Sequence, residues 1–411
     1  MFSPDHGSKK RHWKTGSLLV FCDAMLVDLK KLVDSQKGYA VSIRHRLHRV
    51  PEPAFAESQT AALIAAELRP LDLVIREKVA KTGVIADLVT DQPGPEIALR
   101  ADIDALPINE ATGAAYASQN EGFAHSCGHD GHTAILLCTA RVLSQMRSEL
   151  RGRIRFIFQP AEETARGARA MIDDGVLRPT PPDAIIGMHA WPGLPVGAVA
   201  CRSGIMMAAC DTLRITVHGK GGHGARPHEA NNPLRGVARI AEVLAQLDND
   251  SRVVSLCRAH VGNSDNVIAD TGVISGTVRT LTSEVRRRTI GEVTSLATDI
   301  CAALDLSADV TFDAMTPAVA IDEGLFDLYH RVGCELLGAS NVVRLDAPSM
   351  GSEDFGAYLE HVPGLLFRLG MGTNCAGLHE AAFDFNDDAI PTALLLLCGM
   401  TMHLCTGGWT K

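Results

Sequence analysis

An α/β fold with a mainly parallel sheet, interrupted by an inserted α+β sandwich, is predicted by three observations. Short apolar or β-branched runs (IALRADIDALP, RIRFIFQPAEE, DAIIGMHAW) alternate with helical patterns (GHTAILLCTARVLSQM, ARGARAMIDDG), the alternation that builds a parallel sheet. Near residue 200 it gives way to strand, helix, two strands, helix, strand, and near 316–319 the first style resumes. The 411 residues also exceed what one core usually fills. The expected division is a discontinuous domain over 25–198 and 317–411, an inserted domain over 199–316, and an N-terminal extension over 1–24.

Within the extension, Lys9, Lys10, Arg11 and Lys14 precede SLLVFC in the outline of a signal peptide, but Asp23 cuts the apolar run short and no small-residue cleavage site follows. A helical pattern begins at Met25 and holds until Pro51 and Pro53 stop it. SQTAALIAAELRPL is a second helix, and the strand and helix runs named above follow. In the inserted domain the strands are TLRITVH, VVSLCRAH, GVISGTVRTL and ADVTFD, and the helices are RIAEVLAQL and EVRRRTIGEVTSLATDICAAL. In α/β sheets the active site lies beyond the carboxyl ends of the strands, where this chain's reactive residues fall.

A formal charge of -9 lacks the basic footprint of nucleic-acid binding, and aromatics at 5% offer few stacking platforms. No stretch reaches the ~20 apolar residues of a membrane span. Small molecules are the expected partners, with neither nucleic acid nor membrane. The eleven cysteines are odd in number and sit mostly in apolar runs, so a disulfide framework is not expected and a reducing cytoplasm is.

The stretch HSCGHDGHTAILL puts Cys127, His129, Asp130 and His132 within a few residues, a density of metal-ligand types that points to a metal site. QPAEET (Glu162, Glu163), GMHAW (His189) and GLHEAAF (His379) add complementary groups. Each alone has a plain reading: a solvated pair of acids, a strand-end imidazole, a surface histidine. His125 and His132 read as hydrogen-bonding partners of ligands. In MGSEDFGAYLEHVPG, Ser352 reads as a helix cap.

Taken together and in this order, the motifs resemble the M20-type metallo-aminoacylases and carboxypeptidases, in the branch of hippurate hydrolases and auxin-conjugate amidohydrolases. The resemblance covers about residues 37 to 400. It implies a catalytic domain split by a dimerising lid, hence a homodimer, and a site for two divalent metal ions, zinc, manganese or cobalt. The ligands it implies are Cys127, His129, Glu163, His189 and His379, with Glu162 as general base and later proton donor to the leaving amine. Many relatives have a histidine ligand where this chain has Asp102-Ile103-Asp104, so Cys127 and His129 are expected to take over coordination while Asp104 orients a ligand or the base. In the lid, the resemblance implies that His223 in GKGGHGARPHE steadies the oxyanion across a dimer. Asn266 and Arg279, in NVIADTGVISGTVRT, would hold the substrate carboxylate, a task suited to a planar guanidinium. Ala269 stands where relatives often have proline.

The activity so implied is hydrolysis of the amide bond of N-acyl amino acids, N-benzoyl or N-acetyl among them. The alternatives are a small-peptide metallo-carboxypeptidase or dipeptidase, an amidase using Cys127 as nucleophile, and a non-catalytic metal-binding dimer.

Overall fold

Helix Asp23–His48 ends in His45, Arg46 and His48, basic side chains suited to the negative end of a helix dipole. Residues 23–406 are described in this computed structural model; residues 1–22, most of the expected extension, lie outside the described residues. Helix Ser58–Leu68 follows, its first backbone N–H groups capped by the buried carboxylate of Glu52, which accepts from Gln59 N and Thr60 N at 2.9 Å each.

An eight-stranded sheet organises the larger part of the chain. Its order is Val74–Val79, Gly83–Val89, Arg153–Gln159, Glu96–Asp102, Ala184–Trp191, Gly364–Gly370, Val199–Cys201 and Val342–Arg344. The four strands from Arg153–Gln159 to Gly364–Gly370 run parallel, and Val199–Cys201 pairs parallel with Val342–Arg344. Every residue of Gly364–Gly370 is buried, as expected of a strand covered on both faces, and this is why these segments read as nearly continuous apolar runs. The hairpin Val74–Val79 and Gly83–Val89 is antiparallel and escapes the sequence reading. Its turn places Ala80 (φ 50) and Lys81 (φ 78) in the left-handed region without the Asn-Gly or Asp-Gly signal that usually announces such turns. The apolar helix Ile390–Cys405 is a core element packed against helices Asp23–His48, His129–Gln145 and Glu323–Leu337.

The chain divides into two compact units. The larger closes its first segment at Ser203 and takes up Ile321–Leu345 and the residues from His361 onward; the smaller holds Gly204–Ala320 and Asp346–Glu360. The smaller unit is a four-stranded antiparallel sheet in the order Arg252–Val261, Thr271–Thr280, Ala209–His218, Ser307–Thr316. Helices Leu234–Leu244 and Ser283–Ala302 lie on it, burying Ile240, Leu244, Val293 and Ala297 against Leu213, Ile215, Ile274 and Val278.

Candidate metal centre

The carboxyl ends of the parallel strands carry the chemistry. Strand Glu96–Asp102 ends in two buried carboxylates, Asp102 and Asp104. Its neighbour Arg153–Gln159 runs into Pro160 and then Ala161, held at φ 57, which turns the chain so that Glu162 and Glu163 follow at the sheet's end. Three successive backbone N–H groups of this turn are captured by two acids. Ala161 N donates to Glu57 Oε1 (2.9 Å), Glu162 N to Asp104 Oδ1 (3.0 Å) and Glu163 N to Asp104 Oδ2 (3.1 Å).

Gly128, in the left-handed region at φ 84, precedes helix His129–Gln145 and lets the Cys127 stretch turn sharply into it. His129 Nδ1 faces the Asp104 carbonyl at 2.9 Å, and His189 Nδ1 faces the Ala190 carbonyl at 2.8 Å. An imidazole nitrogen beside a carbonyl oxygen donates its proton there, so both rings turn Nε2 toward the centre, the orientation that second partners impose on ligating histidines. His189 Nε2 lies 3.4 Å from Cys127 Sγ. His379, itself at φ 64, is tied to the Cys127 stretch by its N–H to Ser126 O (2.8 Å) and brings Nε2 to 3.4 Å from Glu163 Oε2.

Two triads result, Cys127–His129–His189 and Cys127–Glu163–His379, in each of which one ligand atom per residue lies within 4.8 Å of the others. Cys127 belongs to both. His129 Nε2 and Glu163 Oε1 are buried without a hydrogen-bond partner, which is costly unless a cation receives them. Sulfur, imidazole and carboxylate form a donor set suited to late divalent metals. His129, Glu162 and Glu163 also converge, so the structure brings Glu162 to the ligand cluster.

The electrostatics agree with that fit. Burial pushes the Cys127 thiol well up, and Glu163, Glu162 and Asp102 push it further, so it ionises only against a cation. Burial works against a charge on His129, but Asp102, Asp104 and Glu163 outweigh it and hold the ring at about 10. The field that keeps a proton on Nε2 is the field that would keep a metal ion there. Burial raises Glu163 to about 7. Asp102 accepts hydrogen bonds from His132 Nδ1 (2.6 Å) and Arg100 Nη1 (2.7 Å), while His132 Nε2 accepts from Ala190 N (2.8 Å). His132 thus ties the ends of two strands together; its partners are Asp102 and the Ala190 N–H, not the assigned ligands. His125 differs: it is buried, both ring nitrogens are without a hydrogen-bond partner, and burial lowers it to about 4, so it is neutral packing.

Residues 98–403 match the model of peptidase family M20/M25/M40. The chain belongs to this family. It is a hydrolase acting on amide or peptide bonds. It is 38% identical over 367 residues to an N-acetyl-L-cysteine deacetylase of Bacillus subtilis, covering 87% of this chain and 86% of that protein. It is 33% identical over 371 residues to a hippurate hydrolase of Campylobacter jejuni, covering 89% and 96%. Among solved structures it is similar to a dinuclear metal binding peptidase of the M20 family from Bacillus subtilis, with a TM-score of 0.81, 34% identity and coverage of 90% and 99%.

In this M20 chain a second buried ionic cluster backs the metal centre. Arg44, fully buried, donates to Asp130 Oδ2 (3.1 Å) and Asp384 Oδ1 (3.0 Å) and pairs with Asp387. His48 Nδ1 reaches the same Asp130 oxygen at 2.8 Å, and despite burial Asp130 holds His48 at about 9. The first helix is thereby pinned to the first turn of His129–Gln145 and to the stretch that follows His379. Arg44 and Glu57 are absent from the sequence-derived site because their partners stand far off in the chain, 104 positions in the case of Glu57 and Ala161.

In the smaller unit, His223 pairs with Val267, so Asn266 and His223 share one loop pair. His223 Nδ1 accepts from Ala225 N (3.0 Å), which leaves the proton on Nε2 of an exposed ring. Arg279 stands eight positions along strand Thr271–Thr280 from Thr271, roughly 25 Å by the rise of a strand. It donates to Met350 O (3.0 Å) and Ser352 Oγ (3.3 Å). Ser352 therefore serves Arg279 and is not a helix cap; Glu353 Oε1 accepts from Phe355 N at 3.1 Å instead.

Proposed function

We propose that the protein is a dinuclear metal-dependent amidohydrolase that releases the amino acid from N-acyl amino acids, with N-acetyl and N-benzoyl derivatives as first substrates. The observation that carries this is the pair of triads sharing Cys127, with His129 Nε2 and Glu163 Oε1 buried and unbonded. The relatives named above support two ions and acylated amino acids as substrates.

Cys127, His129, Glu163, His189 and His379 would hold the ions. When bound, divalent ions supply a Lewis-acid field that makes water nucleophilic near neutral pH and polarises an amide carbonyl. Glu162 removes the proton from the attacking water and returns it to the leaving amine. Asp104 grips the N–H groups of Glu162 and Glu163 and the ring of His129 through its carbonyl, so one residue sets the spacing between base and ligands. His223, with its proton on Nε2, is equipped to donate to the developing oxyanion. Arg279 and Asn266 receive the α-carboxylate. A homodimer through the smaller unit is part of this reading: Asn266 and His223, which share one loop pair, would serve one active site and Arg279 the other.

The test is amino-acid release from N-acetyl and N-benzoyl amino acids by chelator-stripped protein, with and without Mn²⁺, Zn²⁺ or Co²⁺. Release restored by metal is the expected result. Release that ignores chelation overturns the mechanism, and release from peptides alone moves the reading to a carboxypeptidase.

A further inference from the structure

Strand Gly364–Gly370 lies parallel to Ala184–Trp191 with Arg368 opposite His189 and Gly370 opposite Trp191. Opposed residues of a sheet, and residues two apart on one strand, point to the same face. Arg368, His189 and Trp191 therefore share one face near the carboxyl end of the sheet. The guanidinium carbon of Arg368 sits 3.6 Å from the centroid of the Trp191 ring, whose centroid is 6.3 Å from that of His189.

Arg368 is only 8% exposed, yet Nε and Nη2 are buried without a hydrogen-bond partner, and among the described residues no carboxylate forms an ion pair with it. The other buried arginines of this unit are paired: Arg44 with Asp130, Asp384 and Asp387, Arg100 with Asp102 at 2.7 Å, Arg155 with Asp87 at 2.7 Å. An uncompensated buried charge is strongly destabilising, and burial pulls Arg368 down to about 10. The indole supports one face of the guanidinium by cation–π attraction but leaves the N–H fork unused, and that fork fits a carboxylate bidentately.

We propose that Arg368 anchors an anion subsite beside the metal centre, which takes a second carboxylate of the substrate in addition to the α-carboxylate assigned to Arg279. This rests on the N-acyl amino acid reading. The second carboxylate belongs either to the acyl part, as in a dicarboxylic acid monoamide, or to the side chain of an acidic amino acid.

Two matched substrate pairs separate these sources: N-succinylalanine against N-butyrylalanine, and N-acetylaspartate against N-acetylasparagine. For one pair kcat/KM favours the acid by on the order of 10- to 100-fold, the range of a charge-assisted hydrogen bond, and Arg368→Met brings the ratio toward one. Independently of turnover, succinate raises the melting temperature of chelator-stripped protein while succinamide does not, and Arg368→Met abolishes that difference. No acid preference in either pair overturns the proposal, as does a ratio that survives Arg368→Met. If the variant does not fold, the wild-type pairs and the contrast between succinate and succinamide still decide. Hydrolysis of the neutral substrates without acid preference removes the subsite and leaves the amidohydrolase. An Arg368-dependent succinate shift with no hydrolysis of any substrate does the reverse.

Discussion

Asp130 gives Oδ2 to Arg44 and His48 in hydrogen bonds, whereas its chain neighbour His129 has Nε2 without a hydrogen bond, 3.7 Å from Asp102 Oδ2 and 3.8 Å from Glu163 Oε1. Both are buried in the first turn of one helix, and both are surrounded by opposite charge. Around Asp130 the chain supplies the counter-charges itself, and the result is architecture. Around His129 it supplies acids and further ligand atoms but no cation, and the result is a receptor. Burial of charge alone does not distinguish a functional site; the sign and source of its compensation do.

The largest effect is expected on the receptor side, at the one acid of the cluster assigned to proton transfer. Glu162→Gln should lower kcat by roughly 10²- to 10⁴-fold, the usual share of a general acid–base group, with metal content unchanged by elemental analysis. A loss of metal along with activity would make Glu162 a ligand. On the architectural side, Arg44→Met removes the cation shared by Asp130, Asp384 and Asp387 and leaves Asp130 to His48 alone. A loss of about 3 to 5 kcal/mol in stability is expected, read by denaturant titration of metal-stripped protein. If Arg44→Met removed metal without altering stability, the division between the two clusters would fail.

A smaller effect concerns His48. Its folded pKa of about 9 stands above its ordinary 6.5, so its contribution is complete below pH 6.5 and is lost as pH rises through 9. Stability of metal-stripped protein should decline across that window, and His48→Gln should flatten the decline. A profile unchanged by the substitution would show that Asp130 does not depend on His48. The smallest effect is a baseline without buried charge. Asp322 caps helix Glu323–Leu337 by accepting from Leu325 N at 3.0 Å, and Asp322→Ala should cost about 1 kcal/mol.

The contrast also explains what was legible in the sequence. The ligand types in HSCGHDGH, the acid pair after Pro160 and the strand-end histidine could be read because each sits in a local pattern at a strand or helix end. The order of strands and helices in the inserted unit was plain as well, but not that Asp346–Glu360 packs with it. Arg44 and Glu57 were not readable, since their meaning lies in partners from other elements; Glu57 in particular looks like an ordinary residue before a helix. The hairpin Val74–Val89 stayed hidden because its left-handed turn uses Ala80 and Lys81, residues that carry no turn signal. Ser352 was misread for a related reason: a serine before a short helix suggests a cap until a distant arginine claims its hydroxyl.

Asp104 and Glu57 hold the turn after Pro160 by main-chain hydrogens alone. Such a grip is indifferent to the side chain it presents at position 162. If Glu162 is the base proposed above, replacing that side chain removes the reaction while the turn keeps its main-chain hydrogen bonds. Descendants that lose catalysis at this one position can therefore persist as intact, metal-binding folds, and inheritance of the shape is uncoupled from inheritance of the activity.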